Sequence, residues 1–363
     1  MRADRLFEGY HIWVLAPSII NEDANINYYY DFAQSKKEYS KVFQELNLNW
    51  TWQDIRLDNY KVIIQKVKED ADKRKVLVIN LCDGDEINQA PGISVVKELE
   101  VQKLCYTGSK EYFYDITTSK IPMKKVFDQY KVSTPEWEVI KEDGSNIRGI
   151  FERLGTPLIV KPAVSGGSMG LGTINVVKNE EDCSNVLHKI NEGYRGWNLT
   201  IDGVFAERFI PGREFTTLLV GSYQYPENII YYSPIERVFN KALPVTEQFL
   251  SFDRLWETYE EETSLGEDQF LYNYYPPEPE LDEAIKKLSI DTYIALQGTG
   301  YTRIDIRMDE INGKLFVLEA NAQCGLSEDE NYTSIGAILR VNNKSFTELI
   351  SEIMNDAIIR LAK

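Results

Sequence analysis

The segment from Gly300 to Asn321, Gly-Tyr-Thr-Arg-Ile-Asp-Ile-Arg-Met-Asp-Glu-Ile-Asn-Gly-Lys-Leu-Phe-Val-Leu-Glu-Ala-Asn, constrains the fold more than any other stretch of the chain. Polar and apolar residues alternate on both sides of Ile311-Asn312-Gly313, so the segment reads as a hairpin of two strands. Alternation puts Arg303, Asp305 and Arg307 on one side of the first strand and Ile304, Ile306 and Met308 on the other, while Glu319 and Asn321 share a side of the second. With Ile311-Asn312-Gly313 as the loop, Glu310 faces Lys314, Asp305 faces Glu319, and Arg303 faces Asn321. Two carboxylates set against each other destabilise a bare sheet, and a cation removes that cost. Two carboxylates and an amide oxygen are hard ligands that suit Mg²⁺ shared with substrate phosphates better than zinc. A solvated hairpin with incidental acids is the competing interpretation, and the hairpin alone does not separate the two.

At 363 residues and 43% hydrophobic content, the chain is long enough for two or three domains with their own cores. The balance of 40 basic against 57 acidic residues, net −17, repels nucleic acid and anionic membrane, so any phosphate must be held locally. The N-terminus lacks an apolar signal core and no apolar run is long enough to span a bilayer, which reads as a cytosolic address. Cys82, Cys105, Cys183 and Cys324 are far apart, with no CxxC spacing, and fit buried thiols. With only His11 and His188, there is little material for zinc hydrolases or histidine-dependent triads.

Apolar runs at His11–Pro17 and Lys75–Leu81 flank a helical-looking region at 36–46, which predicts a small parallel α/β domain. A helix from Pro91 to Glu100 and a short strand from Leu104 follow. Ligands in such sheets gather beyond the strand C-termini, which makes the acid-rich loop Asn80–Glu86 a candidate substrate wall. A second unit opens near residue 110, with a helix over about 119–130, a strand at Pro157–Pro162, the run Ser165-Gly-Gly-Ser-Met-Gly-Leu-Gly172, and a return strand at Thr173–Val177. That glycine-rich turn can fold its amides over phosphates, with Lys161 beside it, but it lacks the Gly-Lys-Ser/Thr ending of a Walker loop. A third unit begins at Val204, where a strand, a Pro-Gly turn and a second strand bring Glu207 and Glu214 to one edge. Region 222–280, rich in Tyr, Pro and Glu, reads as a packed lid, and 281–297 as a helix leading into the hairpin.

Taken in order, five stretches resemble the ATP-grasp superfamily and, within it, the D-Ala-D-Ala ligase family: Tyr106-Thr-Gly-Ser, Pro157-Leu-Ile-Val-Lys-Pro with its glycine loop, Phe209-Ile-Pro-Gly-Arg-Glu-Phe-Thr, Gly300-Tyr-Thr-Arg-Ile-Asp, and Leu318-Glu-Ala-Asn-Ala-Gln-Cys-Gly-Leu-Ser. The likeness runs from about residue 76 to the C-terminus and is weaker before that. It implies a three-domain α/β architecture: a parallel α/β domain over 1–109, a central α+β lid domain over 110–205, and a C-terminal catalytic domain over 206–363 built on an antiparallel sheet with the metal site.

The resemblance also implies roles. Lys120 and Lys161 would hold the ATP phosphates, with the loop around Ser168 closing on them. Glu207 would take the adenine amino group, the backbone at Arg208 and Ile210 the rest of the adenine, and Glu214 the ribose hydroxyls. Asp305, Glu319 and Asn321 match the Mg²⁺ ligands, which Mn²⁺ would also suit. Arg303 and the backbone amide of Gly325 match the oxyanion stabilisers. The family's hairpin turn is one residue shorter, so Asn312 reads as an insertion that preserves the carboxylate pairing. The activity implied is ATP-dependent ligation of a small-molecule carboxylate to an amine through an acyl phosphate, with no histidine required. Partners would be small molecules rather than nucleic acid or membrane, and the family implies a homodimer through the first domain.

Three departures concern substrates. The family's N-terminal glutamate motif is not recognisable after Pro17, leaving Glu22, Asp23 and Asp31 as alternatives. Leu255 stands where related lids carry a lysine, with Arg254 as an alternative cation. Glu328, Asp329 and Glu330 follow Ser327 where the family receives the second amino acid's carboxylate, which predicts an acceptor other than D-alanine. Other outcomes compatible with the sequence are a ligase joining a non-amino-acid carboxylate to an amino acid, a phosphotransferase, and a nucleotide-binding protein without ligase activity.

Overall fold

Two strands with apolar cores, β1 (Tyr10–Pro17) and β3 (Lys75–Asn80), form a parallel sheet with the more polar β2 (Asn49–Ile55), in the order β2-β1-β3. The structure is a computed structural model, and it describes residues 6–20 and 31–362 apart from 88, 195, 258, 260, 261, 263, 267 and 268. Helices Ala33–Glu45, Tyr60–Ala71 and Ile93–Val101 cover the sheet, as the apolar runs of β1 and β3 require of strands buried on both faces. Neither β2 nor helix Tyr60–Ala71 was anticipated, because β2 buries only Ile55 and carries no apolar run. The strand expected from Leu104 is a single bridge, Tyr106 beside Val78.

Helices Glu111–Thr118 and Lys120–Tyr130 lead into an antiparallel sheet of β4 (Trp137–Ile140), β5 (Leu158–Pro162), β6 (Val176–Val177) and β7 (Val204–Arg208), ordered β4-β7-β5-β6. Helix Glu180–Glu192 packs Cys183, Val186, Leu187 and Ile190 on Leu158, Val160, Val204 and Ala206 of this sheet. The return strand expected over Thr173–Val177 is confined to β6. Thr173–Asn175 forms a tight turn, held by the Asn175 side chain, which accepts from the Gly172 amide and donates to the Val160 carbonyl.

The third sheet is antiparallel, ordered β10-β9-β8-β11-β12, from β8 (Gly212–Ser222), β9 (Ile230–Phe239), β10 (Tyr272–Tyr275), β11 (Thr299–Asp309) and β12 (Leu315–Ala322). Region 222–280 is therefore not a lid throughout. It supplies β9 and β10, whose aromatics pack within the sheet, and only the stretch around helix Phe252–Trp256 lies over the glycine-rich turn, where the Trp256 indole donates to the Gly167 carbonyl at 3.0 Å. One face of β8, β11 and β12 packs Phe215, Ile304, Ile306 and Val317 against Phe113, Phe127 and the helix Pro279–Ala295.

A single apolar cluster joins Ile12, Leu77 and Ile79 of the first sheet to Leu218 and Val220 of the third, with the C-terminal helices Ser334–Val341 and Phe346–Leu361 between them. Two close contacts bring the first lobe to β11 and β12. A Cβ on Gly300, whose φ is +77°, would lie 2.2 Å from the Gly108 carbonyl oxygen, so only glycine permits this approach. The Gln323 amide, just past β12, donates to the carbonyls of Asn80 at 3.2 Å and Cys82 at 2.7 Å. Among the described residues no helix is long and apolar enough to cross a membrane.

Candidate active site

The hairpin pairs Arg303 with Asn321 and Asp305 with Glu319, as the alternation predicts, but not through the expected turn. Toward the turn, Ile306 pairs with Val317 and Met308 with Leu315, so a bulge at Leu318 offsets the strands. The loop is Glu310–Gly313, closed by hydrogen bonds from the Asp309 amide to the Lys314 carbonyl and from the Gly313 amide to Asp309. Glu310 therefore belongs to the loop and is not paired with Lys314. The extra residue of a four-residue loop is cancelled by the bulge, which restores the carboxylate pairing where it matters.

The opposed carboxylates are balanced by basic groups of the chain. Arg303 donates to both oxygens of Asp305, at 3.1 Å from Nε and 2.9 Å from Nη2, and the Thr216 hydroxyl donates to Asp305 from β8. Lys120 sits 3.2 Å from Glu319 and donates at 3.2 Å to the carbonyl and to the hydroxyl of Ser165 in the glycine-rich turn. Burial acts to raise the Glu319 carboxyl, but Lys120, Lys161 and Arg303 together hold it down at about 2. Burial acts to lower the Arg303 guanidinium, and Asp305 holds it well above its usual range. The Asn321 amide nitrogen donates to Asp305 at 3.0 Å and to Glu319 at 3.5 Å, so a half-turn of that amide presents its oxygen to the same space.

This donor set fits a hard divalent cation that completes its shell with phosphate oxygens and water. Among the described residues no cluster of three or more His, Cys, Asp and Glu side chains could hold a metal without such help.

Two further carboxylates lie along the same cleft. Glu207 on β7 is buried between Lys161, at 2.6 Å, and Lys124, at 2.5 Å. Burial pushes Glu207 up, but the two ammonium groups prevail and its carboxyl stays below the usual range, while burial lowers the Lys124 ammonium. Glu214 on β8 is held between Arg237 and Arg307, the latter at 2.9 Å, and their charges likewise overcome its burial. At the glycine-rich turn, Gly167 and Ser168 both take left-handed backbone angles, and the Ser168 hydroxyl donates to the Leu250 carbonyl at 3.0 Å.

All twelve residues nominated from the sequence line one cleft of about 1040 Å³: Lys120, Lys161, Ser168, Glu207, Arg208, Ile210, Glu214, Arg303, Asp305, Glu319, Asn321 and Gly325. Lys124 and Arg237 were missed. Lys124 is one helical turn after Lys120 and so on the same face, a signal that was present. Arg237 lies on β9, inside the region assigned to the lid.

The substrate alternatives fare differently. Glu22 and Asp23 lie outside the described residues. Asp31 is exposed and accepts the Ala33 amide at 2.9 Å, at the start of helix Ala33–Glu45. Arg254 is paired with Glu247 at 2.9 Å and Glu262 at 3.0 Å, so its charge is already spent in tying the lid segment together. The acids after Ser327 are also engaged. Glu328 pairs with Lys41 at 3.0 Å, Glu330 with Arg340 at 2.8 Å, and Asp329 accepts the Asn331 amide at 2.9 Å. The uncompensated negative wall expected there is thus offset by two cations.

Residues 126–355 match the family model described as D-ala D-ala ligase C-terminus. The chain is 29% identical over 262 residues to the D-alanine–D-alanine ligase of Bordetella petrii, covering 71% of this chain and 70% of that one. It is 28% identical over 256 residues to that of Dechloromonas aromatica, covering 70% and 73%. Among solved structures, the D-alanine–D-alanine ligase of Bacillus anthracis complexed with ATP superposes with a TM-score of 0.65 over 97% of this chain and 98% of that one, at 18% identity. The ligase of Coxiella burnetii gives 0.65 over 97% and 96%, at 16% identity. The three-sheet arrangement is the fold of these ligases. The chain belongs to the D-Ala-D-Ala ligase family of ATP-grasp proteins.

Proposed function

We propose that this protein joins a small-molecule carboxylate to an amine at the expense of ATP, forming a C–N bond through an acyl phosphate. The observation that carries the proposal is the register of β11 and β12, which gathers Asp305, Glu319, Asn321 and Arg303 on the face where Lys120 and the glycine-rich turn converge. Two or three hard oxygen donors for a cation, two lysines for phosphates and an arginine beside them suit phosphoryl transfer followed by acyl transfer.

In this reading Lys120 and Lys161 leave their carboxylate partners to hold the phosphates of ATP, under the turn around Ser168. Glu207 and the backbone at Arg208 and Ile210 meet the adenine, and Glu214 the ribose. Asp305, Glu319 and Asn321 would hold Mg²⁺, which when bound neutralises charge on the transferring phosphoryl group. An oxygen of the substrate carboxylate attacks the γ-phosphorus, the bond to the β-phosphate oxygen breaks, and ADP leaves. The amine then attacks the acyl carbon and loses a proton, and the carbon–oxygen bond to phosphate breaks. Arg303 and the Gly325 amide stabilise the oxyanion formed between these events.

The division into lobes follows the sheets. A first lobe over 1–109 supports the substrate wall and a central lobe carries the lid. We place the second boundary at the turn 209–211 rather than at 205, because β7 pairs within the central sheet. At the acceptor end Arg340 neutralises Glu330 at the cleft, so an acceptor other than D-alanine is favoured only by the Ser327 hydroxyl, which is committed to Glu38 at 2.7 Å. A matrix of amino acids and polyamines, scored for ADP formation with Mg-ATP, tests the proposal. Amine-dependent ADP release supports it, and ADP release that ignores the amine points to a phosphotransferase instead.

A further inference from the structure

Glu207 is surrounded by more positive charge than one carboxylate requires. Lys161 donates to its Oε1 at 2.6 Å, and the Lys124 ammonium stands 2.5 Å from its Oε2. One carboxylate between two ammonium groups leaves a buried excess of one positive charge, which an anion arriving in the cleft relieves. The two lysines are not equivalent. Lys161, on β5, lines the cleft with its side chain 13% exposed, so it can turn toward an incoming phosphate. Lys124 is 1% exposed and stands outside the cleft lining. Its ammonium donates to the Thr134 hydroxyl at 2.8 Å, Thr134 donates in turn to the Val317 carbonyl of β12 at 2.9 Å, and the centre of the Phe205 ring lies 5.8 Å away. Glu207 itself reaches the cleft lining. Among the described residues no hydrogen bond reaches its Oε2, because Lys124 approaches outside hydrogen-bonding geometry.

We propose that Lys124 is a positioning residue for selection of the nucleobase: it keeps Glu207 ionised, and therefore an acceptor only, once Lys161 has turned to the phosphates. The proposal rests on the ATP reading above, in which Glu207 meets the amino group of adenine. An ionised carboxylate accepts from the 6-amino group of adenine and repels the 6-oxo group of hypoxanthine. A protonated carboxyl donates to that 6-oxo group, so a site that loses its charge loses its choice of base.

Burial supplies the tendency that Lys124 has to oppose. It pushes the Glu207 carboxyl up, and the charge of Lys124, then that of Lys161, reverses the direction. With nucleotide absent, either lysine leaves the carboxylate a partner at hydrogen-bond distance. With Lys161 drawn to phosphate, Lys124 is the cation that remains. Removing Lys124 therefore costs the empty protein little, since Glu207 keeps Lys161 and the Thr134 hydroxyl keeps the Val317 carbonyl. The cost falls on nucleotide binding instead, where Glu207 must either hold Lys161 back or take up a proton.

The test follows binding of non-hydrolysable ATP and ITP analogues by calorimetry to the wild type, Lys124→Met and Glu207→Gln, with thermal melts of each protein without nucleotide. The wild type is expected to prefer the ATP analogue by roughly tenfold to a hundredfold. In Lys124→Met the preference closes to within about twofold, through weaker ATP and stronger ITP binding, while the nucleotide-free melt stays near that of the wild type. A merely structural Lys124 gives a lowered melt with both analogues weakened alike; that result, or a preserved preference, overturns the proposal. Glu207→Gln, whose amide both donates and accepts, is expected to lose the preference as well. If it keeps the preference, the base is not read at Glu207, and the adenine placement falls with the proposal. Difference infrared spectroscopy on the wild type gives a second measurement that needs no Lys124 variant. Binding of the ATP analogue is expected to leave Glu207 ionised, and a protonated-carboxyl band that appears with nucleotide and is missing in Glu207→Gln overturns the proposal. A wild type that binds neither analogue overturns the ATP reading and this proposal together.

Discussion

Replacing Glu319 by Gln separates two opposite expectations about the opposed carboxylates. Considered as a bare pair, Asp305 and Glu319 repel, and removing one charge stabilises the fold. The structure reverses the sign, because Lys120, Lys161 and Arg303 hold the Glu319 carboxyl at about 2 from an ordinary value of 4.5. A depression of that size corresponds to about 3 kcal/mol at most. The Glu319 side chain is 26% exposed, and solvent screening of the ion pair brings the expected loss to about 1–2 kcal/mol. A folded carboxyl below its unfolded value contributes stability above about pH 4.5, and that contribution disappears as pH falls toward 2. Metal-free Glu319→Gln at pH 7.5 is therefore expected to melt roughly 1–3 °C below the wild type, with the gap closing under acid, and to show no measurable turnover with Mg-ATP. Calorimetric melts in EDTA, paired with ADP assays in Mg²⁺, provide the measurement. A variant that melts above the wild type refutes the electrostatic argument, and one that keeps wild-type turnover refutes the metal assignment.

Lys161→Ala and Lys120→Ala should each weaken binding of a non-hydrolysable ATP analogue by roughly 1.5–3 kcal/mol; unchanged affinity in both, measured by calorimetry, would make the glycine-rich turn merely structural. Glu207→Ala leaves Lys124 and Lys161 facing each other in a buried site, so denaturant unfolding should show a loss of about 3–5 kcal/mol, whereas Lys161→Ala, which keeps the Lys124–Glu207 pair, should lose less. Arg340→Ala removes the partner of Glu330, and a carboxylate-bearing acceptor approaching to ~4 Å then meets a repulsion of up to about 4 kcal/mol; its kcat/KM should fall at least about tenfold, with amines lacking a carboxylate little affected. If both acceptor types respond alike, Glu330 does not face the acceptor.

The features legible in sequence were those that repeat with a simple period or carry a strong apolar run. Strict alternation along β11 placed Arg303, Asp305 and Arg307 on one face, and the apolar runs of β1, β3 and β5 located three strands. The Glu310–Gly313 loop was not legible because a bulge at Leu318 compensates it, and no local pattern distinguishes a compensated four-residue loop from an uncompensated three-residue one. β10 escaped because its pairing with β9 joins residues about 35 positions apart across a long insertion. The acids after Ser327 were read as a repulsive wall because their partners, Lys41 and Arg340, come from other elements. Distant charge pairing of this kind is invisible to spacing, which is also why Glu214 looked free for a ligand although Arg237 and Arg307 enclose it.

The central claim is that an oxygen of the donor carboxylate passes to phosphate before the C–N bond forms. Donor labelled with ¹⁸O in its carboxyl group, incubated with the wild-type protein, Mg-ATP and an accepted amine, reports this directly through mass spectrometry of the released phosphate. The account predicts one labelled oxygen in each phosphate formed, at a one-to-one ratio to the amide product, and none without protein. Amide product accompanied by unlabelled phosphate would contradict it.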